Sequence, residues 1–143
     1  MGNGSRSKTL LYLAGSLLSL GVLGFSIWLI HEANIGRDNI LFQTVRATPY
    51  GDKIGHFLLA GVLTLAANFA LRNKAARWGP LRLPYGSLVI LVLVITEESS
   101  QYYLPTRSLD LVDALANFAG IVVFSIPARL LDKRRERKVR ADR

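Results

Sequence analysis

The stretch from Leu10 to Ile30 reads LLYLAGSLLSLGVLGFSIWLI, which is 21 residues without a charged side chain. An α-helix of roughly 20 apolar residues crosses the hydrocarbon core of a bilayer. The run is longer than the hydrophobic part of a signal peptide, and no small-residue cleavage site stands out. We therefore predict that this stretch is a retained membrane-spanning helix.

Two later stretches are also apolar enough to span a bilayer. One runs from about Ile54 to Leu71 and the other from about Leu111 to Leu131. Half of the residues are hydrophobic and only 20% are charged. The charges collect between the apolar runs, which argues against an ordinary soluble domain. The chain contains no cysteine, so disulfides, thiolate metal sites and cysteine nucleophiles are excluded.

A fourth apolar stretch is shorter. Leu83 to Thr96 has 14 residues, which is long enough to cross only if the helix continues through Glu97, Glu98 and Gln101. A carboxyl group at the edge of the hydrocarbon is costly, so it should face protein rather than lipid. We predict an all-α fold, an integral membrane four-helix bundle in which residues 10–131 form a single domain.

The basic residues set the orientation of this bundle. Of the 18 Lys and Arg residues, 14 lie in three segments that four spans place on the same side of the membrane. These segments are residues 1–9, the loop 72–82 and the stretch from Arg129 onward. The positive-inside rule puts both termini in the cytoplasm, with tails at residues 1–9 and 132–143. Because the basic tail follows a span directly, we predict contact with anionic lipid and no nucleic-acid partner.

With this topology, three groups of polar residues reach the external face. They are Asp52, Lys53 and His56 at the start of the second span, Glu98 and Gln101 at the end of the third, and Arg107, Asp110, Asp113, Asn117 and Gly120 leading into the fourth. Spacings of three and four residues put the helical members of each group on one face. The external half of the chain carries seven acids against four bases. We therefore predict an acidic polar pocket at the outer leaflet.

Simpler interpretations of these residues remain open. Asp52 and Asp110 could each cap the start of a helix, and His56 could be a hydrogen-bonded packing residue. Arg107 could serve only to neutralise an acidic neighbour. Glu97 points away from the shared face of its helix, and we expect it to lie at the solvent or lipid interface.

The residues Asp52 to Phe57, DKIGHF, resemble the D-K-x-x-H-F signature that opens the second helix of the VanZ-like membrane protein family. The residues Glu98 to Gly120 are similar to that family's string E-x-x-Q followed by P-x-R-x-x-D-x-x-D-x-x-x-N-x-x-G. The resemblance covers residues 52–126, and it departs at Thr106, where many relatives have a small residue or glycine. It implies small four-helix proteins of the bacterial cytoplasmic membrane, in a family named for a protein associated with resistance to teicoplanin, a glycopeptide antibiotic. The ten positions named above, nine polar residues and Gly120, are its signature.

The resemblance supplies no reaction, so we predict the function from the polar pocket. We expect the pocket to bind the headgroup of a cell-envelope or lipid-linked molecule, with Arg107 and Lys53 pairing with phosphate or carboxylate groups. A small ion-coupled transporter and a non-catalytic scaffold are the alternatives. His56 oriented by Asp52 could act as a general base. One histidine among acids has no diagnostic spacing, so we favour binding over catalysis and predict no metal or other cofactor. Homo-oligomerisation is left open.

Overall fold

Helices make up most of the chain in the computed structural model, which describes residues 3–103 and 110–141. Within these ranges there are five helices and one β-hairpin. In chain order the elements are α1 (Asn3–Asn34), α2 (Ile40–Ala47), α3 (Gly51–Ala70), β1 (Ala75–Trp78), β2 (Leu81–Pro84), α4 (Tyr85–Gln101) and α5 (Leu111–Ala141).

Three helices of the described chain are long and apolar enough to cross a membrane. The qualifying segments are Leu13–Asn34 in α1, Gly51–Ala70 in α3 and Leu111–Arg137 in α5, so three of the predicted spans coincide with helices that could cross a membrane by length and composition. Large apolar side chains point outward from these helices, as at Leu17 and Leu18, which are 68% and 70% exposed. An apolar outer surface of this extent is typical of a protein that contacts lipid.

Helix α3 makes its most extensive contact with α5. A Cβ atom at Gly120 would lie 2.2 Å from the carbonyl oxygen of Phe57, so only glycine permits this approach of the two backbones. One turn further along, the rings of Phe57 and Phe124 pack edge to face with centroids 5.9 Å apart. Ala60 and Ile121 then meet Ile90 of α4 in a small buried core. Gly120, one of the predicted site residues, is therefore a close-packing position of α5.

Helix α4 lies against both α3 and α5 and is tied to each near one of its ends. Near its start, the side-chain amide of Asn68 donates a hydrogen bond to the Ser87 hydroxyl at 2.9 Å and accepts one from the Ser87 backbone N–H at 3.0 Å. Near its end, Glu98 is bound by Asn117 of α5. Helix α4 continues through Glu97 and Glu98 to Gln101. This continuation was the predicted condition for the short apolar run to be long enough to cross a membrane.

The loop between α3 and α4 contains a β-hairpin that corrects the all-α prediction. Strands β1 and β2 pair antiparallel, with Ala75 opposite Pro84 and Trp78 opposite Leu81. The two residues between the strands are Gly79, at φ +59°, and Pro80. A left-handed glycine at a two-residue turn is the usual way to close such a hairpin. Runs of four residues are too short for periodicity to reveal them.

Two further differences from the predicted organisation concern helix bounds. The first external loop contains α2, which begins where the Asn39 side chain accepts a hydrogen bond from the Phe42 backbone N–H at 3.1 Å. The segments 1–9 and 132–143 were predicted as tails, yet α1 begins at Asn3 and α5 ends at Ala141. The Lys, Arg and Glu residues that follow the last apolar run are good helix formers, which favours the extension of α5.

The extension of α5 is held by the hairpin through ion pairs. Arg82 pairs with Asp132 at 2.6 Å and also with Glu136, and Arg77 pairs with Glu136 as well. These contacts join the hairpin to the last turns of α5, at the end of α3 and α5 where the chain is most basic. The opposite end of these two helices carries the predicted polar residues.

Candidate polar site at the ends of three helices

The first turns of α3 and α5 and the last turn of α4 meet at one end of the molecule. Seven of the ten predicted site residues are linked there by polar contacts, and we call them the polar cluster. Its members are Asp52, Lys53, His56, Glu98, Asp110, Asp113 and Asn117. They come from three helices that are far apart in sequence, so the cluster exists only in the folded chain.

Lys53 is the centre of the ion pairs in the polar cluster. Its Nζ donates to Asp110 Oδ2 at 2.6 Å, to Asp113 Oδ1 at 2.5 Å and to Asp52 Oδ2 at 3.1 Å. The three protons of the ammonium group can therefore be matched to three carboxylates. The Lys53 ammonium, together with the backbone N–H of Val112, holds the pKa of Asp110 below its ordinary value of 3.8.

His56 lies among three carboxylates. Its Nε2 is 3.7 Å from Asp52 Oδ1 and 3.7 Å from Asp113 Oδ2, and its Nδ1 is 4.0 Å from Glu98 Oε1. These separations are longer than hydrogen bonds. Lys53 takes the other oxygen of both aspartates, so the oxygens nearest the imidazole are the ones that the ammonium leaves open.

One subset of the cluster has donors that suit a divalent cation. Ligand atoms from Asp52, His56 and Asp113 all lie within 4.8 Å of one another. Imidazole nitrogen with carboxylate oxygens is a donor set that Zn²⁺ or Mn²⁺ accepts. Exposed clusters of acidic residues are also common in proteins that bind no metal. The geometry of these three residues is therefore compatible with metal binding.

Glu98 and Asn117 form the most buried link of the cluster. The Asn117 side-chain amide donates to Glu98 Oε1 at 2.7 Å, and both residues are only 5% exposed. The prediction that Glu98 faces protein is therefore confirmed. The amide satisfies one lone pair of a carboxylate that would be costly to bury without a partner.

Gln101 and Glu97 form a separate pair on α4. The buried amide of Gln101 donates to both carboxylate oxygens of Glu97, at 2.9 and 3.0 Å. Glu97 is half-buried, so the expectation that it lies at the solvent or lipid interface stays a prediction, and its hydrogen bonds to Gln101 are an addition to it. The missed signal was the spacing of four residues, which puts the two side chains side by side on a helix.

The two predicted helix caps have different outcomes. Asp110 caps α5, because its Oδ1 accepts a hydrogen bond from the Val112 backbone N–H at 2.8 Å. Asp52 is not a cap, because α3 begins at Gly51 after Tyr50 and Asp52 lies within the first turn. Arg107, the remaining predicted site residue, lies outside the described residues.

An apolar groove leads away from the polar cluster between α4 and α5. The groove is open on one side and has a volume of about 430 Å³. Glu98 lines the groove and also belongs to the polar cluster. The lining residues are Leu91, Val94, Ile95, Glu98 and Ser99 of α4 with Ala114 and Phe118 of α5. A buried carboxylate at an otherwise apolar wall is unusual and gives the groove one polar end.

The charges of the polar cluster do not balance in the described part of the chain. Four carboxylates face one ammonium group, which leaves three negative charges when His56 is neutral. This excess agrees with the predicted acidity of the external half of the chain.

Searches for similar proteins complete the description of the site. Comparison of this chain with protein-family models, with curated proteins and with solved structures gives no match. The resemblance to the VanZ-like family therefore rests on the motif residues quoted above.

Proposed function

We propose that this chain is a four-span membrane protein whose polar cluster lies at the extracytoplasmic face and binds the headgroup of an envelope lipid or lipid-linked molecule. The observation that carries the proposal is the convergence of polar side chains from three helices at one end, where carboxylates outnumber cationic side chains among the described residues. A cluster that only held helices together would need no surplus of one charge. Negative charge that is partly exposed at the surface can attract a ligand.

The proposed topology counts α4 as a span. Its 17 residues extend about 25 Å, a little less than the hydrocarbon core of about 30 Å. Its first turns are hydrogen-bonded to the end of α3 through Ser87 and Asn68. Its last turns are hydrogen-bonded to α5 through Glu98 and Asn117. With α4 crossing, the hairpin and the basic end of α5 lie in the cytoplasm together with both termini.

A reporter pair tests this orientation. A fusion after Arg77, in the hairpin, should be active only in a cytoplasmic assay, because four spans place the hairpin inside. A fusion after Gly36, between α1 and α2, should be active only in an external assay. External activity of the Arg77 fusion would overturn the proposed orientation.

The chemistry of the cluster favours a positively charged or hydroxyl-bearing headgroup over a bare anion. Lys53 was predicted to pair with a phosphate or carboxylate of the ligand, but three carboxylates of the chain already hold its ammonium group. Asp52 is more open, with 61% of its side chain exposed. An incoming ammonium group or hydroxyl can bind there without displacing Lys53.

By its motifs, we also propose that the chain is a member of the VanZ-like family and acts at the bacterial envelope, where glycopeptide resistance is the phenotype to test. The DKIGHF stretch supplies three members of the polar cluster, and the Glu98-to-Gly120 string supplies the other four. The spatial meeting of the two motifs supports this proposal, because separated signature residues are expected to serve one site.

Native mass spectrometry of protein purified in mild detergent tests headgroup binding. Wild-type protein should retain an envelope lipid, and Asp52→Asn should lose at least about tenfold of it, which corresponds to about 1.4 kcal/mol. Asp38→Asn is the matched control, because Asp38 is an exposed acid of the loop before α2 that pairs with Arg46 outside the cluster. Equal retention by Asp52→Asn and wild type, or a lipid-free wild type, would contradict the proposal.

A further inference from the structure

We propose that Asp52, His56 and Asp113 form a zinc-binding site at the rim of the polar cluster. The sequence-based expectation was that no metal binds, because one histidine among acids has no diagnostic spacing. The fold adds what the spacing lacked, since Asp113 of α5 lies beside the pair that Asp52 and His56 form on α3. The inference goes beyond the proposed function, because these three side chains can hold a metal without a lipid.

The distances between the three side chains are close to those of ligands on one zinc ion. His56 Nε2 lies 3.7 Å from Asp52 Oδ1 and 3.7 Å from Asp113 Oδ2. Zinc binds imidazole nitrogen and carboxylate oxygen at about 2.0–2.2 Å, so neighbouring ligands of a tetrahedral ion are about 3.4 Å apart. The two separations are too long for direct hydrogen bonds, and small side-chain movements bring the three atoms to ligand distance.

Lys53 orients the two carboxylates of the site. Its Nζ donates to the other oxygen of each, to Asp52 Oδ2 at 3.1 Å and to Asp113 Oδ1 at 2.5 Å. Outer partners of this kind fix the direction of metal ligands. The ammonium group also pairs with Asp110 Oδ2 at 2.6 Å. A carboxylate outside the ligand set therefore offsets the repulsion between Lys53 and a bound cation.

The burial of two ligands distinguishes this site from a patch of exposed acids. Asp113 is only 8% exposed and the His56 side chain 18%, so both belong to the packed contact between α3 and α5. Asp52 is more open, and an ion can reach the site from its side. The imidazole favours zinc over Mg²⁺ or Ca²⁺, which prefer oxygen ligands. Three protein ligands leave a fourth position on zinc for water or for an oxygen of a ligand.

Isothermal titration calorimetry with Zn²⁺ tests the site. The full chain is purified in mild detergent, freed of metal with EDTA and titrated with ZnCl₂. Wild type should bind one Zn²⁺ per chain, and X-ray absorption at the zinc edge should show one imidazole with oxygen ligands at about 2.0–2.2 Å. The midpoint of thermal unfolding should rise as Zn²⁺ is added, because binding to the folded state stabilises it.

Ligand variants with matched controls assign the binding to these residues. His56→Ala and Asp113→Asn should each weaken Zn²⁺ binding more than about tenfold, because loss of even an outer partner of a metal ligand has an effect of that size. His31→Ala is the control for histidine, since His31 is the other histidine of the chain and is exposed. Asp38→Asn is the control for aspartate, and both controls should bind as wild type does. Asp52→Asn, at an exposed ligand, tests the same point if Asp113→Asn does not fold.

Each contrary outcome has a definite meaning. Absence of Zn²⁺ binding by wild type would overturn the inference, as would binding that His31→Ala weakens as much as His56→Ala. Unchanged affinity in both aspartate variants of the site would overturn the three-ligand assignment. Zinc binding by a wild type that retains no lipid would support this inference and contradict the proposed function, whereas retained lipid on a protein that binds no Zn²⁺ would do the reverse.

Discussion

Replacing Asn117 by alanine removes the amide that binds the buried carboxylate of Glu98. The donor–acceptor distance is 2.7 Å and both residues are 5% exposed, so water cannot easily replace the lost hydrogen bond. Hydrogen bonds to charged groups contribute about 1.5–3 kcal/mol. We expect Asn117→Ala to lower the free energy of unfolding by about that amount.

A double-mutant cycle isolates this link from other effects of the substitutions. Asn117→Ala, Glu98→Ala and the double variant are unfolded by denaturing detergent in mixed micelles and followed by far-ultraviolet circular dichroism. The coupling energy should exceed that of a matched neutral pair, Asn68 and Ser87, which are also buried and hydrogen-bonded at 2.9 Å. Neutral pairs of this kind average about 0.6 kcal/mol in membrane proteins. A coupling energy for Asn117 and Glu98 no larger than that of the neutral pair would refute the reasoning.

Two further predictions concern the helix crossing and the rim of the cluster. Gly120→Ala should destabilise the protein by about 1–3 kcal/mol, because the new Cβ would lie 2.2 Å from the Phe57 carbonyl oxygen. Gly55→Ala, which meets nothing within 4 Å among the described residues, should be neutral or stabilise α3 in the same unfolding assay; equal losses would contradict the steric argument. Because Lys53 lowers the pKa of Asp110 in the folded protein, the stabilisation from this pair is present above the ordinary value of 3.8 and lost as the pH falls through the lower folded value. Asp110→Asn should therefore reduce the loss of stability as the pH falls below the ordinary pKa of 3.8, and an unchanged acid dependence would be the contrary result.

The spans and their polar ends could be predicted because each depends on local sequence. The lengths of the apolar runs indicated three spans, and helical spacing placed Asp113 and Asn117 on one face of α5. The 14-residue run at Leu83 was correctly extended through Glu98, because a buried carboxylate with a partner can continue a helix. The spacing of four residues between Glu97 and Gln101 also indicated that their side chains would pair, but we did not predict this pairing.

What the sequence left undetermined depends on contacts between distant segments. Lys53 binds Asp110 and Asp113 across 57 and 60 residues, and the spacing within one helix does not reveal which helix lies opposite. The β-hairpin is similar, since its four-residue strands have weak local signals and are held by Arg82 against Asp132 of α5. Tertiary partners of this kind outweigh local propensity.

The two charged clusters at opposite ends of the helices differ in a way that bears on function. At the hairpin, Arg77 and Arg82 face Asp132 and Glu136, so two positive charges match two negative ones, which suffices to fix the hairpin against α5. In the polar cluster, among the residues described, Lys53 pairs with three carboxylates, and a fourth, that of Glu98, lies beside His56. Mutual repulsion among these carboxylates works against folding, and a bound cation would reduce it. A ligand that does so must stabilise the folded protein by an amount that grows with its concentration, and the charge-balanced end offers no such gain.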